Sequence, residues 1–243
     1  MSTQTCLCQR IFLILLYFLP IPGLPWLLRR KLWPEVNGEF ITQAEYLLVQ
    51  AFGRDNLPDK VVVTTLDDLF SNDYSSILRC MRLLQKLGFE PGVANHALAQ
   101  VQRDYMNRSP QMVAISQWEV CYAHWLQDKM GFGINIERIE PLWPKGEYFA
   151  TVHVKKAAKA IILRRGLSLH NGIELAHPDM VIRAKLILWR LGLDPAISLV
   201  RTPYAPSAVQ WWVRSWWLWT PHEILGRAYR MLKRWTSFSP PVR

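Results

Sequence analysis

The chain has 243 residues, of which 50% are hydrophobic and 20% charged, which excludes a disordered chain and is enough for one well-filled core. Its 29 lysines and arginines outnumber its 19 acids, and the net charge of +10 favours an anionic partner: nucleic acid, anionic lipid or a phosphorylated small molecule. The four cysteines, at positions 6, 8, 80 and 121, have the spacing of neither a disulfide framework nor a zinc site. The sequence indicates no particular cofactor, and no metal site is predicted.

The N-terminal segment is apolar over residues 11–28 and is followed by three basic residues, Arg29, Arg30 and Lys31. The segment is near the lower limit of about 17 residues for a spanning helix, and prolines interrupt its second half. We interpret residues 1–37 as an uncleaved membrane anchor that spans or re-enters the membrane; the alternative is a buried helix of the domain. Because the basic residues follow the apolar run, the positive-inside rule favours a cytoplasmic domain.

Residues 38–205 alternate between segments typical of helices and of strands. A first helix is predicted at residues 38–52 and a first strand at residues 60–66. Further strands are predicted at residues 111–115, 134–139, 172–175 and 196–200, and further helices at 76–87, 97–106, 118–130, 146–163 and 178–191. This alternation predicts an α/β domain in which helices cover both faces of a parallel sheet, making three layers.

Residues 206–243 form a Trp-rich basic tail, predicted to be helical over residues 208–235 with a break near Pro221. Five of the 12 tryptophans fall between positions 211 and 219, a density that suits a membrane interface, and the basic residues beside them favour an interfacial amphipathic helix. The alternative is that the rings pack on the domain. Nucleic acid is the less favoured partner, because the basic residues do not alternate with the rings.

Ligands bind beyond the carboxyl ends of the strands in an open parallel sheet, so the residues that follow each predicted strand are the candidate site. After the strand at 60–66, Thr64, Thr65, Asp67 and Asp68 could bind Mg²⁺ or supply a base, or else cap the next helix. This segment lacks the glycines of a dinucleotide or P-loop site.

Acidic residues follow the next two predicted strands. Glu119, after Ser116 and Gln117, is a candidate acid/base or hydrogen-bond acceptor; its alternative role is a stabilising charge at a helix N-terminus. Glu140 and Glu147 lie in the loop after the third strand.

His177, Asp179 and Arg183 follow the strand at residues 172–175. His177 could donate to an anionic ligand or move a proton, and Arg183 could bind a phosphate or carboxylate. The alternative is that His177 and Asp179 only cap the helix that Pro178 begins.

From about Asp59 onwards, three segments of the chain together resemble the YdcF-like family, which includes the SanA and ElyC envelope proteins of bacteria. They are residues 112–116 followed by Glu119, residues 139–140 followed by 146–150, and residues 175–184 with His177 and Arg183. The resemblance implies a Rossmann-like sheet, a place at the bacterial inner membrane, a role in cell-envelope metabolism and an anionic ligand, nucleotide-like or lipid-linked. By the same resemblance, Glu147 and His177 would be the catalytic residues. Thr65, Asp67, Glu119, Glu140, Asp179 and Arg183 complete the predicted ligand site.

The sequence leaves three hypotheses open. The first is a membrane-associated YdcF-like domain that binds this anionic ligand. The family's glycines after the first two strands are replaced by Thr64 and Thr65 and by Ser116 and Gln117, which motivates the second hypothesis, a catalytically degenerate scaffold. The third is a nucleic-acid-binding protein, suggested by the charge alone.

Overall fold

The computed structural model describes residues 35–52, 74–127, 136–139, 151–177, 180–200 and 202–204, with residues 11, 12, 15, 217 and 225 in isolation. Three predicted segments lie outside this part: the strand at 60–66, the Trp-rich tail except for two residues, and the apolar segment except for three residues. None of the described helices has the length and hydropathy of a membrane span.

The described chain alternates between helices and strands. In chain order its elements are α1 (Gly38–Gln43), β1 (Tyr46–Val49), α2 (Tyr74–Lys86), α3 (Val93–Arg108), β2 (Val113–Gln117), α4 (Trp118–Gln127), β3 (Ile136–Ile139), α5 (Thr151–Arg164), β4 (Gly172–Ala176), α6 (Val181–Arg190) and β5 (Ala196–Leu199). All the strand pairs are parallel, which confirms the predicted α/β class. Strands β2 to β5 begin and end within two residues of their predicted positions.

The predicted helix at residues 38–52 is wrong in its second half. Helix α1, capped by a 2.7 Å hydrogen bond from the Phe40 N–H to Asn37 Oδ1, ends at Gln43, and Ala44 is extended. Residues 46–49 form β1, and all four are fully buried. An apolar run with both faces buried has no polar side to reveal its period, so a short strand of this kind resembles a piece of helix.

Strand β1 lies at the centre of the sheet, whose order is β3-β2-β1-β4-β5. Val49 is paired with Ser116 of β2 on one side and with Leu175 of β4 on the other. The chain therefore builds the sheet outwards from β1 in one direction and then in the other. This is the order of the first five strands of a doubly wound sheet, and β1 and β4 meet where the order reverses.

Helices cover both faces of the sheet. On one face, Leu47 and Val49 of β1 pack against α3, and the neighbouring cluster around Ala114 holds α2 and α4. On the other face, Leu48 and Ile115 pack against α5 and α6. The three predicted layers are therefore present in the described chain.

The Tyr46 ring packs directly on Gly172 on the α5 face of the sheet. They are register partners, and a Cβ on Gly172 would lie 2.1 Å from a ring atom of Tyr46. The Tyr46 hydroxyl donates a hydrogen bond to the Leu169 carbonyl (3.3 Å). Burial, and after it the nearby Glu174 and Asp194 carboxylates, raise the pKa of Tyr46 above its ordinary value.

Candidate ligand site at the carboxyl edge of the sheet

The residues that follow β1, β2 and β4 lie at one edge of the sheet. The register places Gln50 beside Gln117, and places His177 one residue beyond Ala176 on the other side of β1. The backbone N–H of Ala51 donates to Gln117 Oε1 (2.7 Å), which joins the ends of β1 and β2. This edge is where the strand order reverses, the usual ligand position in an open α/β sheet.

The His177 side chain is 8% exposed and packs against two aromatic rings. Its ring is stacked on Phe52, with centroids 4.4 Å apart and planes inclined by 4°, and Tyr204 meets it edge-on at 5.3 Å. Tyr204 also meets Phe52 edge-on at 5.7 Å, so it lies beside the stack, and the three rings form one cluster that holds the imidazole in place. The His177 carbonyl accepts from the Met180 N–H (2.9 Å), so the residue also leads the chain into α6.

Helix α3 holds the segment that follows β1. Asn95, which is fully buried near the start of α3, accepts a hydrogen bond from the Phe52 N–H at 2.9 Å and donates to the Pro91 carbonyl at 2.6 Å. On the opposite face, Gln50 Nε2 donates to Thr151 Oγ1 at the start of α5 (3.2 Å). The edge of β1 is thus tied to helices of both outer layers.

A cavity of about 10 Å³ lies beside this edge, lined by Gln50, Phe52, Glu174 and His177 together with Leu98, Leu175 and Met180. That volume is the smallest that holds one water molecule. A larger ligand would lie across the edge of the sheet above this cavity, rather than within it.

A buried ion pair joins α5 to β4 on the α5 face of the sheet. Lys155 Nζ donates to Glu174 Oε1, and the two side chains are 0% and 1% exposed. Glu174 is the register partner of Leu48 in the central strand, so the pair lies inside the domain. The second carboxylate oxygen, Oε2, accepts no hydrogen bond from the described residues.

Of the site residues predicted from the sequence, the structure describes three: Glu119, His177 and Arg183. His177 and Glu119 lie at the same edge of the sheet, because each follows one of the two strands that flank β1. Glu119 is 7% exposed in the first turn of α4, and Arg183 lies half-buried in the first turn of α6; neither lines the cavity. The remaining members, Thr65, Asp67, Glu140, Glu147 and Asp179, lie outside the described residues.

Three residues at this edge were not predicted from the sequence: Gln50, Phe52 and Asn95. The first two were assigned to a helix, and recognising β1 would have placed them at a strand end. Asn95 carries no sequence signal, since a lone asparagine near a helix start is usually a surface cap. The Lys155–Glu174 pair was also missed, although a glutamate inside the apolar run of residues 172–176 is a signal for a buried partner.

Within the part of the chain that the structure describes, no group of histidine, cysteine and carboxylate side chains could hold a metal ion. The two described cysteines, Cys80 and Cys121, are buried free thiols. Comparison of the chain with protein-family models, with curated proteins and with solved structures finds no significant match.

Proposed function

We propose that this chain is a membrane-associated, Rossmann-like domain of the YdcF-like type that binds an anionic ligand, nucleotide-like or lipid-linked, across the carboxyl edge between β1 and β4. The observation that carries the proposal is the reversal of strand order at β1, which brings Gln50, Gln117 and His177 to one edge. The net charge of +10 supports an anionic ligand.

His177 is the central residue of the proposed site. The stacking on Phe52 fixes the plane of its ring, so a ring nitrogen can donate a hydrogen bond to an anion at little cost in side-chain entropy. The same ring could move a proton, because an imidazole can both accept and donate one. Arg183 in α6 would bind the anion, supported by the partial positive charge of that helix's N-terminus.

A melting experiment on the full chain tests the proposal, with inorganic pyrophosphate, adenosine monophosphate and adenosine diphosphate as separate probes. His177→Phe keeps an aromatic ring stacked on Phe52 and removes both ring nitrogens. We expect at least one probe to raise the melting temperature of the unsubstituted chain, and that rise to be lost in His177→Phe. The matched control is His170→Phe, a substitution of an exposed histidine.

Arg183→Gln should weaken the same stabilisation, and the exposed Arg190→Gln on the same helix should not. If the probes stabilise His177→Phe and the unsubstituted chain equally, the ligand does not bind at this edge. If instead Arg183→Gln lowers the melting temperature without any probe and leaves the probe effect unchanged, Arg183 is structural.

Membrane association is proposed from the apolar segment at residues 11–28 and the tryptophans of the tail. We expect the full chain to remain with membranes after an alkaline carbonate wash, and a chain lacking residues 11–28 to be released. Release of the full chain by the same wash would contradict an anchor. Retention of the shortened chain would assign the attachment to another segment.

One observation favours a second candidate function, a non-catalytic scaffold. The cavity at the carboxyl edge has room for about one water, and His177 is packed against Phe52 and Tyr204. A scaffold would show no melting shift with any of the three probes while remaining folded.

A further inference from the structure

Helix α2 has two faces of different character. Its inner side is buried against α4, through Ile77, Cys80, Met81 and Leu84. Its outer side carries three exposed basic residues, Arg79, Arg82 and Lys86.

Two leucines lie among these basic residues and are also exposed. Leu83 is 41% and Leu87 46% exposed. Leu83 and Leu87 are four residues apart, as are Arg82 and Lys86, so the two pairs run along adjacent rows of the helix surface. We call Arg79, Arg82, Leu83, Lys86 and Leu87 the α2 surface.

Among the residues that the structure describes, no acid forms an ion pair with the α2 surface. Helix α2 contains no acidic residue, and neither Arg82 nor Lys86 forms an ion pair with any described residue. The nearest acids in the sequence are Asp73, before the helix, and Glu90, after it. Glu90 lies 3.5 Å from a ring nitrogen of His96 in α3.

We propose that the α2 surface docks the domain on an anionic lipid surface. Basic side chains are attracted to anionic headgroups, and exposed leucines between them can enter the boundary between headgroups and acyl chains. Both components are present on α2, whereas a nucleic acid would use the cations and leave the leucines in water. The inference does not depend on the ligand site proposed above, which is formed by other elements.

An environment-sensitive dye on a single cysteine tests the docking in the full chain. Cys6 and Cys8 are replaced by serine, and Cys80 and Cys121 are buried. The dye is attached at Leu83→Cys, or at Leu163→Cys as the control. Leu163 is a similarly exposed leucine, but it lies on α5, on the other face of the sheet. Each labelled chain is mixed with phosphatidylcholine vesicles, with or without phosphatidylserine.

We expect dye emission at position 83 to rise and shift to the blue with the anionic vesicles only, and to stay unchanged at position 163. Each basic residue near an anionic surface contributes about 1 kcal/mol, or roughly a factor of five, so Arg82→Gln with Lys86→Gln should raise the lipid concentration at half-change about thirtyfold. The control pair, Lys156→Gln with Arg190→Gln, removes the same charge from the other face of the sheet and should have no such effect.

Three outcomes would overturn the proposal: equal changes at both dye positions, equal changes with neutral and anionic vesicles, or no change at position 83. A response at position 83 to an acidic peptide or to single-stranded DNA, with none to the vesicles, would assign the α2 surface to that partner instead.

Discussion

Removing one charge of the Lys155–Glu174 pair should be far more damaging than removing both. Lys155→Met keeps the length of the side chain and leaves the Glu174 carboxylate, 1% exposed, without its cation. Breaking a buried pair from one side costs about 3–5 kcal/mol, because the remaining charge stays desolvated and uncompensated. Here the cost should lie towards the lower end of that range, because Glu174 also lines the cavity at the carboxyl edge, which has room for one water molecule.

The double variant Lys155→Met with Glu174→Leu replaces the pair by apolar side chains of similar volume. Such replacements are neutral or stabilise by about 1–4 kcal/mol, so most of the single-variant loss should be recovered. Urea denaturation of each variant, followed by circular dichroism, measures the unfolding free energies, and the coupling energy follows from the double-mutant cycle. The control is Lys156→Met, which changes the exposed neighbouring lysine and should stay within about 0.5 kcal/mol of the unsubstituted chain.

The reasoning fails if Lys155→Met costs less than about 1 kcal/mol, since water or another cation would then reach Glu174. It also fails if the double variant is as unstable as the single one. In that case the lost stability would come from packing of the lysine stem and not from the uncompensated carboxylate.

Three further predictions concern packing near the centre of the sheet. Gly172→Ala should lower the free energy of unfolding, measured by urea denaturation, by at least about 1–3 kcal/mol, because its Cβ would lie 2.1 Å from the Tyr46 ring. Adding Tyr46→Leu should restore part of that free energy. A single variant as stable as the unsubstituted chain would contradict the contact. Burial raises the pKa of both Tyr46 and Tyr122, so their neutral forms favour the folded state. That stability is fully present below the ordinary tyrosine pKa of about 10 and is lost as the pH rises above it. The fall in unfolding free energy with pH should be shallower in the Tyr46→Phe and Tyr122→Phe variants. Equal slopes in the variants and the unsubstituted chain would refute the assignment. Asn95→Ala removes the acceptor of the Phe52 N–H and should cost about 2 kcal/mol, whereas an unchanged denaturation midpoint would show that another group takes its place.

Much of the sheet could be predicted from the sequence. Strands β2 to β5 are short apolar runs bounded by turn residues, and the helices between them begin or end near glycines or prolines. Gly192, with a φ of 74° just after α6, is one such terminator. These signals are local in the sequence, so they identify a strand or helix without any knowledge of what packs against it.

The central strand could not be predicted in this way. Tyr46, Leu47, Leu48 and Val49 are buried because other strands and helices surround them, and that environment is created by segments far along the chain. Because the predicted helix at residues 38–52 includes Gln50 and Phe52, it also misplaces these two residues of the site. His177 was identified because it follows a recognisable strand.

The position of β1 has a consequence for how the protein is made. Tyr46 is paired with Val113 of β2, about 67 residues further along the chain, and with Gly172 of β4, about 126 residues further along. At a typical rate of 5–20 residues per second, both edges of this apolar strand would stay unpaired for roughly 3–13 seconds, and the edge that receives β4 for roughly 6–25 seconds. The central strand is therefore exposed to premature association during translation.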